Sequence, residues 1–504
     1  MDLLSSGVKG DANPGGLAYA KDNSLRHEPP LFVSLDATLL RTDVFFEHVA
    51  AALRAYPLQA LLALFYIFRG RAAIKQAFGR IGGVSANALP YRRKFRRWLQ
   101  EQYESGRTII LSTSADRQAA QSVSDHLGVF SAVQASDGQT YNSGLNKLDA
   151  ILAYTDNGPF DYCGAKHVDL VILAEARHAV IVGTSRSVIQ AATREGNADL
   201  RFARQDDPHQ IRHWIHAIRP FHWLKNLLVM VPFFTSFLVT ETSALLNAFL
   251  AAVAMCFAAS AGYLINDLLD MQADRVHPRK RKRPFAAGRL TAAEGMGGAF
   301  LLLLLSAAIA LWVGPAVLGW IVVYLMGTFS YSVLFKREPI VDVVVLAALH
   351  TIRIIVGAVA VSVPLSFWLL AFSIFFFFSL AVMKRCGELI IRRERGEQTT
   401  SGRGYRVADL SVLQPAGISA GIAAVLVLAL YVHSPLVIER YPMPQALWLA
   451  LIALLVWTTR AWFDTSRGLM LDDPLLYAVR HRRGRMLLLL VAASFSLASL
   501  WGLG

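Results

Sequence analysis

The densest chemistry in the sequence is the run NDLLDMQADRVHPRKRKRPFAAG, residues 266–288. Asp267, Asp270 and Asp274 recur at i, i+3 and i+7, a spacing that puts three carboxylates on one face of a helix. Asn266 adds a neutral oxygen. Carboxylates crowded in this way repel one another unless a cation lies between them, and Mg²⁺ favours a few carboxylates completed by water and phosphate oxygens. The basic run His277, Arg279, Lys280, Arg281, Lys282 and Arg283 follows directly and suits anionic oxygens. Acid followed by base points to a metal-diphosphate site, with the three aspartates as ligands. A merely solvated loop fits less well, because the carboxylates begin inside an apolar stretch where charge is costly.

The elements that must position these residues are read from hydropathy. The 504 residues are 54% hydrophobic and 17% charged. Mean hydropathy is +0.41, and the charged share falls short of the roughly 25% of soluble chains. Before residue 220 the apolar runs are short. After it, nine stretches approach the length of about 20 residues that a membrane helix needs: 224–240, 244–265, 295–313, 314–335, 340–362, 364–383, 411–432, 444–463 and 486–503. Gly314-Pro315 and Val363-Pro364 split runs too long for one helix. The net charge of +14 could serve nucleic acid, a membrane surface or a phosphorylated substrate. Its placement decides: 21 Lys/Arg lie in four alternate loops and one, Arg440, in the others. That asymmetry predicts a multi-pass protein of the cytoplasmic (inner) membrane with its N-terminus and basic loops in the cytoplasm, and makes nucleic acid the weaker partner. Cys163, Cys256 and Cys386 are too few and too far apart for a disulfide framework, and no cleaved signal peptide is expected at the start.

Other charges stand near or within the apolar runs. Arg353 follows Asp342 by eleven residues, near the same helical face. It is read either as a phosphate ligand or as the structural partner of Asp342. Lys336 lies just before that span. Lys225, at the mouth of the first span, is a phosphate contact or a snorkelling anchor. His350 reads as a satisfied interior histidine.

The sequence resembles the UbiA superfamily of intramembrane prenyltransferases over about residues 210–504. NDLLD followed by Asp274 is similar to the first aspartate-rich motif of that family, and nine spans are similar to its fold. Within it, RPFHWLKN (Arg219 to Asn226), DRVHPRKRKRPFAAG, YSVLFK (Tyr331 to Lys336), KRCGEL (Lys384 to Leu389), RGY (Arg403 to Tyr405) and DDP (Asp472 to Pro474) look like the decaprenyl-phosphate phosphoribosyltransferase branch. That resemblance implies Mg²⁺-dependent transfer of phosphoribose from phosphoribosyl pyrophosphate to a polyprenyl phosphate, with release of pyrophosphate. Substrate contacts would come from Arg219, Lys225, Asn226, His277, Lys280, Arg283, Tyr331, Lys336, Arg353, Lys384, Arg385 and Tyr405. Two departures stand out: His222 occupies a position where the branch has Gln, and the second aspartate-rich motif of aromatic prenyltransferases is reduced to Asp342. An acceptor that is already an anionic phosphate needs cations at the second site rather than metal-binding carboxylates, which suits Lys336 and Arg353.

Residues 1–28 read as a mobile tail and 29–205 as a soluble Rossmann-like α/β domain, with the membrane domain at 206–504. The α/β part resembles haloacid dehalogenase-like hydrolases across about residues 30–190. Asp36 matches the second aspartate of the first motif, Thr113 (or Ser112) the phosphate-binding hydroxyl, Lys147 the lysine and Asp169 the late acid. Ser34 replaces the nucleophilic aspartate and Ala165 a metal-binding one, so phosphate hydrolysis is not expected. The segment Val49 to Phe68 is tempting as a tenth span, but Arg54 and Pro57 interrupt it. It reads as a buried or membrane-resting helix. An aromatic prenyltransferase and a non-catalytic scaffold or transporter are the competing functions, and self-association as a homo-oligomer stays open.

Overall fold

The computed structural model describes residues 28–183, 186–194, 196–202, 210–236, 241–396, 404–470 and 473–500. The tail expected at 1–28 lies almost wholly outside them. The N-terminal part is built on strands β1 (Leu31–Val33), β2 (Ile109–Asp116), β3 (Ala132–Ser136), β4 (Asp161–Gly164), β5 (His178–Val182) and β6 (Ala198–Phe202). They form one sheet in the order β3-β2-β1-β4-β5-β6, with every pair parallel. An all-parallel sheet must be covered on both faces. Leu31, Val33 and Leu111 join the core on one face, and Phe32, Ile110 and Tyr162 the core on the other. The strand order reverses around β1, so a crevice opens beyond the carboxyl ends of β1 and β4.

Between β1 and β2 the chain inserts helices α1 (Val44–Ala55), α2 (Pro57–Ala63), α3 (Arg71–Ile81) and α4 (Arg93–Glu104). The Asp43 carboxylate caps α1 by accepting from the Phe45 N–H at 3.0 Å. Five further helices accompany the sheet and lead out of it: α5 (Arg117–Leu127), α6 (Leu145–Tyr154), α7 (Leu170–Glu175), α8 (Arg186–Arg194) and α9 (Gln210–Ile218).

The C-terminal part is helical. After a 3₁₀ segment (Pro220–Met230) come α10 (Val231–Thr235), α11 (Thr242–Leu269), α12 (Met271–Val276), α13 (Ala292–Val313), α14 (Pro315–Val333), α15 (Val341–Ala360), α16 (Phe367–Glu394), α17 (Leu410–Val432), α18 (Pro435–Arg440), α19 (Leu447–Ser466), α20 (Pro474–Arg480) and α21 (Arg482–Leu500). Both expected joints appear: α13 gives way to α14 at Gly314-Pro315, and α15 to α16 around Pro364. Among the described residues seven helices are long and apolar enough to cross a membrane, where the sequence had suggested nine. The span expected at 224–240 is instead the 3₁₀ segment followed by the five-residue α10, with Pro220 and Pro232 each opening one piece, and 237–240 lie outside the described residues. The span expected at 486–503 belongs to α21, whose first turn carries Arg482, Arg483 and Arg485. One glycine matters for the site. A Cβ at Gly357 would stand 2.0 Å from the Val229 carbonyl oxygen, so only glycine lets the 3₁₀ segment lie directly on α15.

The two parts are joined by charge and packing. Phe46 of α1 packs against the core formed by Leu264, Leu268, Met271 and Phe285. Beside it Glu47, fully buried, accepts from both terminal nitrogens of Arg275 at 2.6 and 3.0 Å.

Candidate active site

The acidic motif sits where α11 ends. Asp270 terminates α11 and leads into α12, so the chain turns there and the three aspartates do not share one direction. Asp267, buried, accepts from Arg219 at 2.6 and 2.7 Å and from Arg283 at 3.1 Å. Asp274 accepts from the same Arg283 nitrogen at 2.6 Å. Asp270 points elsewhere, to Lys336 at 2.9 Å and Arg54 at 2.9 Å. The three-carboxylate metal cluster expected from the spacing is therefore resolved into a pair plus a third, separately bound aspartate. Among the described residues no three His, Cys, Asp or Glu side chains stand close enough to hold an ion together. The Asp267–Asp274 pair still fits a hard cation, because one nitrogen reaches both carboxylates and their oxygens are the donors Mg²⁺ prefers.

Environment separates the charges further. Burial works to raise the Asp270 carboxyl, but Lys336 and then Arg54 outweigh it and hold it below its ordinary range. Burial prevails at Asp274, which lies above that range in spite of Arg283. The basic run contributes unevenly. Arg283 enters the site, whereas His277 Nδ1 accepts from the Arg279 and Lys280 N–H groups and so closes a turn.

A second cluster is cationic. Lys225 approaches Asp473 at 2.5 Å and Lys384 approaches the same oxygen at 3.6 Å. These two lysines outweigh burial and hold the Asp473 carboxyl well below its ordinary range. His222 Nδ1 is buried without a partner among the described residues. Arg353 does not pair with Asp342. Eleven residues along a helix is a rise of about 16 Å, and Arg353 instead donates to Asn226 (2.9 Å), the Leu349 carbonyl (2.6 Å) and Tyr324 (3.0 Å). Asp342 is held by Arg385 at 2.7 Å and by the Tyr405 hydroxyl, and Arg385 also reaches Tyr331 at 3.1 Å. Arg385, Tyr331 and Tyr405 thus brace α14, α15 and α16 together. His350, bonded to the Leu346 carbonyl at 2.7 Å and stacked on Phe377, is the satisfied interior histidine expected.

Comparison with known proteins places this arrangement. Residues 229–468 match the UbiA prenyltransferase family. The C-terminal part of the chain belongs to that family. Among its relatives, the uncharacterized protein y4nM of Sinorhizobium fredii is 32% identical, covering 93% of this chain and 91% of that one. The nodulation protein NoeC of Azorhizobium caulinodans is 37% identical over 53% of this chain and 86% of its own length. The decaprenyl-phosphate phosphoribosyltransferase of Corynebacterium glutamicum is 33% identical over 36% of this chain and 56% of its own. A solved UbiA homolog from Archaeoglobus fulgidus, bound to GPP and Mg²⁺, covers 57% of this chain and 99% of its own with a TM-score of 0.44 and 16% identity.

Three residues that pair with charges in these clusters or at the junction of the two parts were not found by sequence reasoning. Asp473 lay within the DDP motif, but nothing in one chain marks it as the counter-ion of Lys225 and Lys384. Arg54 comes from the N-terminal part, 216 residues before Asp270 in the chain. Arg275 was one basic residue among many. The motif residues Arg403 and Asp472 lie outside the described residues.

The N-terminal crevice gathers the other expected residues. Ser34 and Asp36 follow β1, Thr113 lies in β2, and Asp169 follows β4. Asp36 accepts from the Val44 N–H at 2.9 Å, and Lys147 reaches Asp169 at 3.2 Å and Tyr162 at 3.0 Å. Lys166 places its ammonium 2.7 Å from Asp43 and 3.5 Å from Asp36. Burial alone would lower Lys166; these carboxylates, Asp36 foremost, hold it above its ordinary range instead.

Proposed function

We propose that this protein transfers 5-phosphoribose from phosphoribosyl pyrophosphate to a polyprenyl phosphate, releasing pyrophosphate, at the acidic end of its UbiA part. The observation that carries this reading is the charge of the two clusters. One offers paired carboxylates; the other, around Lys225 and Lys384, offers ammonium groups suited to an anionic lipid phosphate. The partial similarity to decaprenyl-phosphate phosphoribosyltransferases supports the same choice. Arg219, Arg283 and Arg54 stand around the carboxylates and would bind pyrophosphate and sugar-phosphate oxygens. Lys225 and Lys384 would exchange Asp473 for the lipid phosphate and hold one of its oxygens in line with the anomeric carbon. The bond from that carbon to pyrophosphate breaks as the bond to the lipid phosphate forms, and no general base is needed because the acceptor is already an anion. Mg²⁺, held by Asp267 and Asp274, would neutralise charge on the leaving pyrophosphate.

The excess of Lys/Arg in the loops at this end supports a site facing the cytoplasm of the inner membrane. The N-terminal part we read as a haloacid dehalogenase-like domain that does not hydrolyse phosphate. Ser34 stands where the resemblance has a nucleophilic aspartate, and Lys166 already supplies a cation to Asp36 and Asp43. The test uses the full chain in detergent with polyprenyl phosphate, Mg²⁺ and labelled phosphoribosyl pyrophosphate. Label should enter the lipid phase, stop with chelator, and stop in Asp267→Asn although that variant still inserts in membranes. Prenylation of a phenolic acid from a prenyl diphosphate, with no sugar transfer, would reject the donor assignment.

A further inference from the structure

The segment from Tyr56 to Arg69 has its amphipathicity reversed for a soluble domain. α2 and the 3₁₀ turn Leu64–Arg69 that continues it bury only small residues: Ala60 and Ala63 pack with Ala52, Ile74 and Phe78. The large apolar side chains face outward, with Leu58 72%, Phe65 68% and Phe68 86% exposed and Leu61, Leu62 and Ile67 over half exposed. A contiguous surface of this kind on a folded domain marks an interaction site. The helical stretch Pro57–Arg69 is too short to cross a bilayer.

What covers this face follows from where the domain is anchored. Arg54 lies two residues before Tyr56 and donates to the Leu269 carbonyl at 3.1 Å and to Asp270 at 2.9 Å, at the end of the membrane helix α11. The buried Glu47–Arg275 pair and Phe46 fix the preceding turns of α1 on the same end of the bundle. The apolar face therefore starts within an arginine side chain's length of the level where α11 leaves the apolar phase. Exposed Arg54, Arg69 and Arg71 flank it. Tyr56 and Tyr66 add the aromatic rings that settle at headgroup depth, and Arg69 lies over the Tyr66 ring at 5.4 Å. Arginines with apolar stems beside aromatic and aliphatic side chains are the composition of helices that lie in the interface plane.

We propose that residues 56–69 are a bilayer-docking surface, seated in the leaflet at the acidic-site end of the bundle, so that the N-terminal domain is held by lipid as well as by the UbiA part. This placement does not depend on the identity of the transferred group. It is tested on the full chain with Cys163, Cys256 and Cys386 replaced, a single cysteine at Phe65, Phe68 or, as a solvent control, Glu101, and an environment-sensitive dye on that cysteine. In vesicles of neutral and anionic phospholipid, dye at 65 and 68 should emit to the blue of dye at 101 and be quenched several-fold more by nitroxide-bearing lipids. Emission and quenching equal to those at 101 would overturn the proposal. So would cross-linking of position 68 between two copies with no quenching by lipid, which would assign the face to a second chain. The combined variant Leu58→Ser, Phe65→Ser keeps the inward alanines. With dye at 68 it should lose the lipid quenching while the Glu101 control is unchanged.

Discussion

Replacing Glu47 by Ala should loosen the N-terminal domain from the UbiA part without unfolding either. Glu47 is fully buried, and Arg275 is nearly so and donates both of its short bonds to this one carboxylate. Removing one partner of a buried ion pair costs about 3–5 kcal/mol, mostly because the other charge is left without compensation. Arg275 retains the carbonyls of Ala88 at 3.2 Å and Ala286 at 3.3 Å, which favours the lower end of that range. About 3 kcal/mol corresponds to a roughly 150-fold larger open fraction of the interface. A thiol placed at Phe46, which packs on the UbiA core, reports that fraction through its rate of labelling in a chain lacking its native cysteines. Labelling should quicken by about two orders of magnitude. The paired change Glu47→Met with Arg275→Met should return it close to the starting rate, since a well-packed apolar pair replaces a buried salt bridge without loss. An unchanged rate in Glu47→Ala would refute the reasoning that this pair holds the domains together. Equal acceleration at a buried position of β2 would show global unfolding instead.

Further outcomes follow from the same charges. Arg54→Ala leaves Lys336 as the remaining ion pair of Asp270 among the described residues, and the KM for the sugar diphosphate should rise about tenfold, the value of one charge-assisted bond; an unchanged KM removes Arg54 from the site. Lys225→Met should raise the KM for polyprenyl phosphate more than Lys384→Met does, because Lys225 stands closer to Asp473, at 2.5 Å against 3.6 Å; the reverse order in initial-rate assays counts against the proposed acceptor site. In the N-terminal domain, burial would raise the Asp161 carboxyl, but Arg177 and Arg107 overcome it and hold it below the ordinary value. A carboxyl depressed on folding stabilises above its unfolded pKa of about 3.9 and loses that contribution as pH falls through the folded value. Amide-exchange protection of β4 and β5 should therefore fall below about pH 4 in the native chain, and Asp161→Asn should show lower protection at neutral pH with a flatter acid limb.

Much of this molecule was legible in one dimension. Runs such as FLLLLLSAAIALWV have no polar face, so their length and the Gly314-Pro315 break dictate α13 and α14 whatever surrounds them. The strands around LFV and TIILSTSAD are short, apolar and separated by helices, and the parallel sheet follows from that alternation. The acidic run from Asp267 to Asp274 stood out in the sequence because carboxylates that begin inside an apolar stretch are costly enough to suggest a purpose.

Tertiary structure decided the partners. Helical spacing grouped Asp270 with its neighbours, but the turn at Asp270 sends it to Lys336 and to Arg54. Asp342 and Arg353 share a helix face yet lie three turns apart, so each takes a partner from another element, Arg385 and Asn226. The first apolar stretch is held as a short-pitched segment against Gly357 rather than as a spanning helix. Apolar length and periodicity act within a few turns of chain and can be read there. A charge is satisfied by whichever opposite group packing brings within about 3 Å, and for Arg54 and Glu47 that group lies more than two hundred residues away.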